Sequence, residues 1–208
     1  VAPHVRNDGV IRADLGRVML ASGSSFAVDL AGDGLLSLAV RDADLKGLTD
    51  ADGRPVATLV ENSGSLVAHS GRVVVMTPAF ASHLIDNAIN LGGVVRAESV
   101  QQDRSGAIVL AAANGNVSLA GSIAAPNGGS FTMMRDVDRW SLEGSTADMV
   151  SRVLRSGTNV ALESSHHLDV ASRMDGRNGA SGAGLTLTGA SVGIRQDIYT
   201  NNGPVVVR

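Results

Sequence analysis

Hydrophobic residues recur at every second position in short runs, among them Val18 and Leu20, Ile108 and Leu110, Val117 and Leu119, Val160 and Leu162, and Leu185 and Leu187. A period of two puts each pair on one face of an extended strand and its small or polar neighbours on the other. Glycine and asparagine separate the runs, as corners needing positive φ require. The pattern predicts short strands at 10–12, 17–20, 26–30, 35–40, 65–68, 72–76, 107–110, 116–119, 160–162, 185–187, 192–194 and 205–207.

Several of these runs belong to a longer unit. Asn7-Asp8-Gly9-Val10-Ile11-Arg12-Ala13-Asp14-Leu15-Gly16-Arg17-Val18-Met19-Leu20 is echoed by Asn62-Ser63-Gly64-Ser65-Leu66-Val67-Ala68-His69-Ser70-Gly71-Arg72-Val73-Val74-Val75, with both glycines displaced by 55 residues. A third copy starts at Asn90, passes through Gly93-Val94-Val95-Arg96-Ala97, and reaches its limb at 106–110 after a longer loop. Recurrent strand units predict a solenoid, because one strand pair cannot bury its apolar edge alone whereas stacked copies bury a continuous core. At roughly 20 to 25 residues per coil, about eight to ten coils are expected, and a rod of roughly 40 to 45 Å. Residues 1–208 read as a single such segment. Both ends read as the interior of a longer array, so flanking repeats or a partner are expected to cover them.

Two segments break the rhythm. Residues 41–55 are charged, end in a Gly-Arg-Pro turn, and predict a loop or small hairpin outside the stack. Residues 127–157 form a second insertion, whose latter half combines Ser145-x-x-Asp148 as a capping box, apolar residues at 150, 153 and 154, arginines in the last turn and a closing glycine. One short amphipathic helix lying across the solenoid's side is expected there.

Composition narrows the function classes. A net charge of -3 offers no basic footprint for nucleic acid. Aromatic residues are 2% of the chain against 44% hydrophobic residues, so aliphatic side chains must fill the core, and an extended ring-lined groove for sugars or single strands is excluded. With no cysteine, neither disulfides nor thiolate metal sites contribute. No apolar run is long enough to cross a bilayer as a helix, and the first residues do not read as a signal peptide.

The repeated limb, the Gly32-Asp33-Gly34-Leu35-Leu36-Ser37 segment, Ile85-Asp86-Asn87-Ala88-Ile89-Asn90 leading into Gly93-Val94-Val95-Arg96-Ala97, and Asp197-Ile198-Tyr199-Thr200-Asn201-Asn202-Gly203-Pro204 together resemble the filamentous haemagglutinin family of two-partner-secretion exoproteins. The helix followed by Ser156-Gly157-Thr158-Asn159-Val160-Ala161-Leu162 is similar to a recurring element of that family. The resemblance implies an all-β fold, a right-handed parallel β-helix downstream of the secretion domain. It also implies export by a dedicated outer-membrane transporter, an extracellular or cell-surface location, and roles in adhesion, aggregation or biofilm. The amino-terminal secretion signature of the family is not present in this sequence. A cysteine-free chain of near-neighbour contacts suits passage through a narrow pore and folding coil by coil outside.

Candidate chemistry falls in two places. Ser164, Ser165, His166, His167 and Asp169 are the residue types of a nucleophile, a base and an orienter. On a strand, however, His167 and Asp169 share one face and His166 takes the other, so no triad is specified. Arg135-Asp136-Val137-Asp138-Arg139-Trp140 is the densest charge cluster, and a β-helix polysaccharide lyase or hydrolase would use such carboxylates for calcium and such a basic group to take a proton. That is the enzymatic alternative; the plain reading is a solvated insertion packing Trp140 on the flank. Gly32-Asp33-Gly34 and Asp175-Gly176-Arg177-Asn178-Gly179 hint at calcium turns but lack a repeated nonapeptide and read as corners. Thr186 and Thr188 would supply one rung of an ice-binding face, too few without matching ranks. The expectation is therefore a structural and adhesive rod that is not an enzyme, with no catalytic, cofactor-binding or metal-binding residue and no cofactor. Self-association and an unidentified surface receptor are its expected contacts.

Overall fold

The computed structural model describes residues 1–28, 36–81, 83–98 and 105–208. Within them the chain winds through seven three-sided coils. The first holds β1 (Val5–Asn7), β2 (Val10–Asp14) and β3 (Arg17–Ala21), and an excursion follows with β4 (Ser25–Val28), β5 (Leu36–Ala39) and the single turn α1 (Asp42–Leu45). The second holds β6 (Thr58–Asn62), β7 (Ser65–His69) and β8 (Arg72–Thr77), and the third β9 (Asn87–Leu91), β10 (Val94–Glu98) and β11 (Ala107–Ala112). The fourth is β12 (Asn116–Ser118), β13 (Ser122–Ala124) and β14 (Ser130–Arg135). The fifth runs β15 (Arg139–Leu142), α2 (Gly144–Arg155) and β16 (Asn159–Ser164). The sixth is β17 (His167–Val170), β18 (Met174–Asp175) and β19 (Leu185–Thr188), and the seventh β20 (Ser191–Ile194), β21 (Ile198–Tyr199) and β22 (Val205–Val207).

Corresponding strands of successive coils pair in parallel, which makes the chain an all-β parallel β-helix. The 55-residue interval is the register itself: Val10 faces Ser65 and Arg17 faces Arg72. The third wall is continuous over seven strands, in the order β3, β8, β11, β14, β16, β19, β22. The first wall runs β1, β6, β9, β12 and restarts as β15, β17, β20; the second runs β2, β7, β10, β13 and restarts as β18, β21. Seven coils in place of eight to ten give a rise of about 30 Å along the third wall. The difference lies in residues spent outside the walls, chiefly the excursion between β3 and β6.

Period-two alternation delivers the core. Val73 and Val75, Ile108 and Leu110, Phe131 and Met133, Val160 and Leu162, and Leu185 and Leu187 all point inward and are buried, one pair above the next. Asn7 and Asn62 also face inward, at the end of the first wall, where the Asn7 amide nitrogen donates to the Asn62 side-chain oxygen at 2.7 Å. At the adjoining corner, Gly9, Gly64, Gly93 and Gly121 stack in a column. The amide of the residue after each of the last three bonds the carbonyl of the glycine in the preceding coil, at 2.8, 2.9 and 3.0 Å. A Cβ added to Gly64, Gly93 or Gly121 would lie well under 3.0 Å from that carbonyl oxygen. Only a residue without a side chain lets the coils close to hydrogen-bonding distance here.

Several expectations change. Residues 127–157 are no insertion: 130–135 and 139–142 are wall strands, and Trp140 is buried on one of them instead of packing on the flank. The helix takes the second-wall position of the fifth coil and does not lie across the side. Arg152 Nη2 donates to the Leu119 carbonyl ahead of β13 at 3.1 Å, and the Asp175 amide of β18 donates to Ser151 Oγ at 2.9 Å. The capping box does not form either. The helix starts at Gly144 with Glu143 at its cap and no side-chain cap bond, which places Ser145 inside the first turn. Its closing end is as expected, with Arg152 and Arg155 in the last turn and Gly157 at φ 81°. The 41–55 segment holds α1 and an antiparallel bridge from Thr49 to Pro55. The expected strands at 26–30 and 35–40 pair antiparallel as β4 and β5; their residues 29, 30 and 35, together with Gly32, Asp33 and Gly34, lie outside the described residues.

Candidate functional site

The ends of the third-wall strands build a groove. Thr77, Ala112, Arg135 and Ser164 occupy one register position on four adjacent strands. Each lies two residues after an inward aliphatic or methionine side chain, so alternation turns all four toward the coil interior just where the wall ends. The chain then bends outward through Ala113, Asp136 and Ser165. The resulting groove, of about 440 Å³, is lined by Thr77, Ala111 to Ala113, Met134, Arg135, Asp136, Glu163 to Ser165 and Thr188.

Arg135 is its most unusual member. Nη2 donates to the Gly115 carbonyl at 2.7 Å, while Nε is enclosed without an acceptor, and burial pulls the guanidinium below its ordinary pKa. No carboxylate pairs with it among the described residues. Thr77 is 5% exposed and its hydroxyl likewise has no partner. Buried donors are satisfied in most folds, so two orphans beside one groove mark a place where a group from outside would be stabilised.

The predicted serine, histidine and aspartate residues are brought near one another, in the wrong order for a nucleophile. Ser165 Oγ donates to Asp136 Oδ1, and His166 Nε2 is 3.6 Å from the same oxygen. The aspartate therefore sits between serine and histidine, where it cannot act as the orienter of a histidine base. His167 Nδ1 instead meets Ser191 Oγ at 2.7 Å. Asp169 shares the outer face with His167 as alternation requires, yet is 3% exposed, covered by Arg139 Nη2 at 3.1 Å from Oδ2 and Arg195 Nε at 3.1 Å from Oδ1. The second contact is an ion pair without hydrogen-bond alignment, since Oδ1 has no bonded donor. Gly193 makes room for that carboxylate: a Cβ there would come to 3.0 Å from Oδ1. Of the groups a lyase would use, Asp136 is paired with Ser165 and His166 and Arg139 with Asp169, while the backbone carbonyl of Asp138 accepts the His167 amide at 3.2 Å.

Two further clusters lie elsewhere. Asp175 is gripped by Arg173 at 2.9 Å and Arg177 at 2.7 Å, which occupies the oxygens a calcium turn would offer, and both guanidinium groups lie over the Tyr199 ring. Among the described residues no group of three or more histidine, aspartate or glutamate side chains is arranged to hold a metal ion. Thr186 is flanked on its rank by Ala161 and Val206, so no threonine array forms.

The other cluster spans three coils. Asp14, His69 and Glu98 are register partners, with His69 Nδ1 2.6 Å from Asp14 Oδ1 and Nε2 3.3 Å from Glu98. The hydrogen bond from His69, and then that from Arg12, hold the Asp14 carboxyl below the ordinary carboxylate range. A carboxyl lowered in the folded chain stabilises it above its ordinary value near pH 4, and that contribution disappears as pH falls through the folded value. Asp14→Asn is accordingly expected to lower the urea midpoint at pH 6 and to make the decline between about pH 4 and pH 2 shallower than in the parent. Equal slopes in the two proteins would refute the role of this ladder.

No helix among the described residues is long and apolar enough to cross a membrane. No family model, no curated protein and no solved structure matches the chain.

Proposed function

We propose that the chain is a rod-forming, adhesive segment of a secreted bacterial surface exoprotein of the filamentous haemagglutinin kind, exported through an outer-membrane two-partner transporter. One observation carries this reading: the repeated asparagine-glycine limbs of the sequence coincide with rungs stacked in register, so the repeat unit is the structural unit. Such a fold grows by near-neighbour contacts, the property an exported chain needs when it emerges end first and unfolded. The exposed apolar residues Val10 and Ile11 on β2, and Val205 and Val207 on β22, sit on edge strands at opposite ends of their walls and suit continuation by further coils or self-association.

The test is a fusion placing this chain behind the secretion domain of a two-partner exoprotein, expressed with its transporter. Folded, protease-resistant chain on the cell surface is the expected outcome, and retention in the periplasm with the transporter functional would defeat the proposal. The competing reading, a polysaccharide lyase or hydrolase on the same scaffold, predicts unsaturated or reducing products from acidic polysaccharides with calcium; the rod reading predicts none.

A further inference from the structure

We infer that the groove at the end of the third wall binds an acidic sugar residue, a hydroxyl-rich unit bearing one carboxylate, as in a uronic acid. The inference rests on the groove alone and is independent of how the chain is exported or what it adheres to.

A cation withdrawn from water is normally matched by a carboxylate, because desolvating it alone is costly. Arg135 breaks that pattern although Asp136 is its neighbour in sequence: Asp136 is turned away to Ser165 and His166, and among the described residues the guanidinium's acceptor is the Gly115 carbonyl. An external anion would complete it, and guanidinium geometry favours a planar carboxylate.

The surroundings choose among anions. Asp136 and Glu163 stand on the same groove and would repel a multiply charged phosphate or sulfate, whereas carboxylates are strong acceptors for sugar hydroxyls. Thr188 and the unpartnered Thr77 hydroxyl add partners that can donate or accept, and Ser165, whose proton goes to Asp136, adds an acceptor. Ala111 and Met134, register partners on the face opposite Ala112 and Arg135, add an apolar surface against which the C–H face of a sugar ring can lie. A volume of about 440 Å³ falls within the range of small-ligand sites. With one tryptophan, itself buried, recognition here is by charge and hydrogen bonds and not by ring stacking.

The experiment is isothermal titration of the intact chain with galacturonic acid, with its methyl ester, and with inorganic phosphate. Saturable binding of the free acid is expected, at least about tenfold tighter than either the ester or phosphate, since one charge-assisted pair is lost in the first case and repulsion enters in the second. Arg135→Gln, checked for an unchanged circular dichroism spectrum, is expected to weaken binding of the free acid by about ten- to a hundredfold. No saturable binding of the acid, equal binding of the ester, phosphate binding as tight as the acid, or a folded Arg135→Gln that binds normally would each overturn the inference. The acid and ester comparison uses only the parent protein and decides the matter even if the variant fails to fold.

Discussion

Gly93→Ala is expected to destabilise the chain by about 3–5 kcal/mol, near the top of the range for a single methyl group. The added carbon would be driven into the Gly64 carbonyl, which already accepts the Val94 amide at 2.9 Å, and into the Ser63 carbonyl beside it. Neither atom is the end of a flexible side chain; both belong to a wall strand or the corner leading into it. Relief requires the third coil to separate from the second, which breaks the ladder on the second wall. The adjacent Gly92 provides the control. A Cβ there meets nothing within 4 Å and its φ is not positive, so Gly92→Ala is expected to change stability by no more than about 1 kcal/mol in either direction. Urea unfolding of the two variants side by side measures the difference. Comparable midpoints would mean that the glycine column does not set the spacing of the coils.

Phe131→Ala is the second large effect, a loss of about 3–5 kcal/mol. Phe131 is fully buried at 0% exposure and is the largest wholly enclosed side chain among the described residues, seated on β14 between Ile108 of the rung before and Val160 of the rung after. In a stack held by near-neighbour contacts the hole cannot be closed by a distant rearrangement, because both adjoining rungs are fixed by their own ladders. Phe131→Leu, which keeps most of the volume, is expected to cost less than half as much. A loss under about 1 kcal/mol for the alanine variant, read from thermal or urea unfolding, would show that the interior collapses locally.

Much of this architecture was legible in the sequence, for a physical reason. The repeat interval survives folding unchanged as strand register, so aligning residues 7–20 with 62–75 already placed Asp14 opposite His69, which are 55 residues apart and 2.6 Å from contact to contact. That pairing is legible in the alignment of the repeats and not in the chain neighbours of either residue. The fate of 127–157 was not legible in the same way. Charge at Arg135, Asp136, Asp138 and Arg139 masked the alternation of β14 and β15, although Phe131, Met133, Trp140 and Leu142 keep the period of two and are buried. Arg135 itself has the parity of an inward residue, yet an arginine at an inward position is ordinarily discounted. The groove consists of residues from five rungs, none of which is close in sequence to all the others, and only the stacking of coils assembles it. The helix is legible in its periodicity, while its place within a wall depends on neighbours above and below that local sequence does not encode.

Between the fourth and fifth coils, backbone ladders stop on two of the three walls and, among the described residues, only β14 with β16 continues one; side-chain bonds from Arg152 to the Leu119 carbonyl and from the Ala125 amide to Thr158 Oγ1 add to it. Tension along such a molecule concentrates where the fewest bonds share it. That junction is expected to act as a mechanical fuse: stretched from its two ends in a force-extension measurement, the molecule should yield there first, parting into an upper and a lower block.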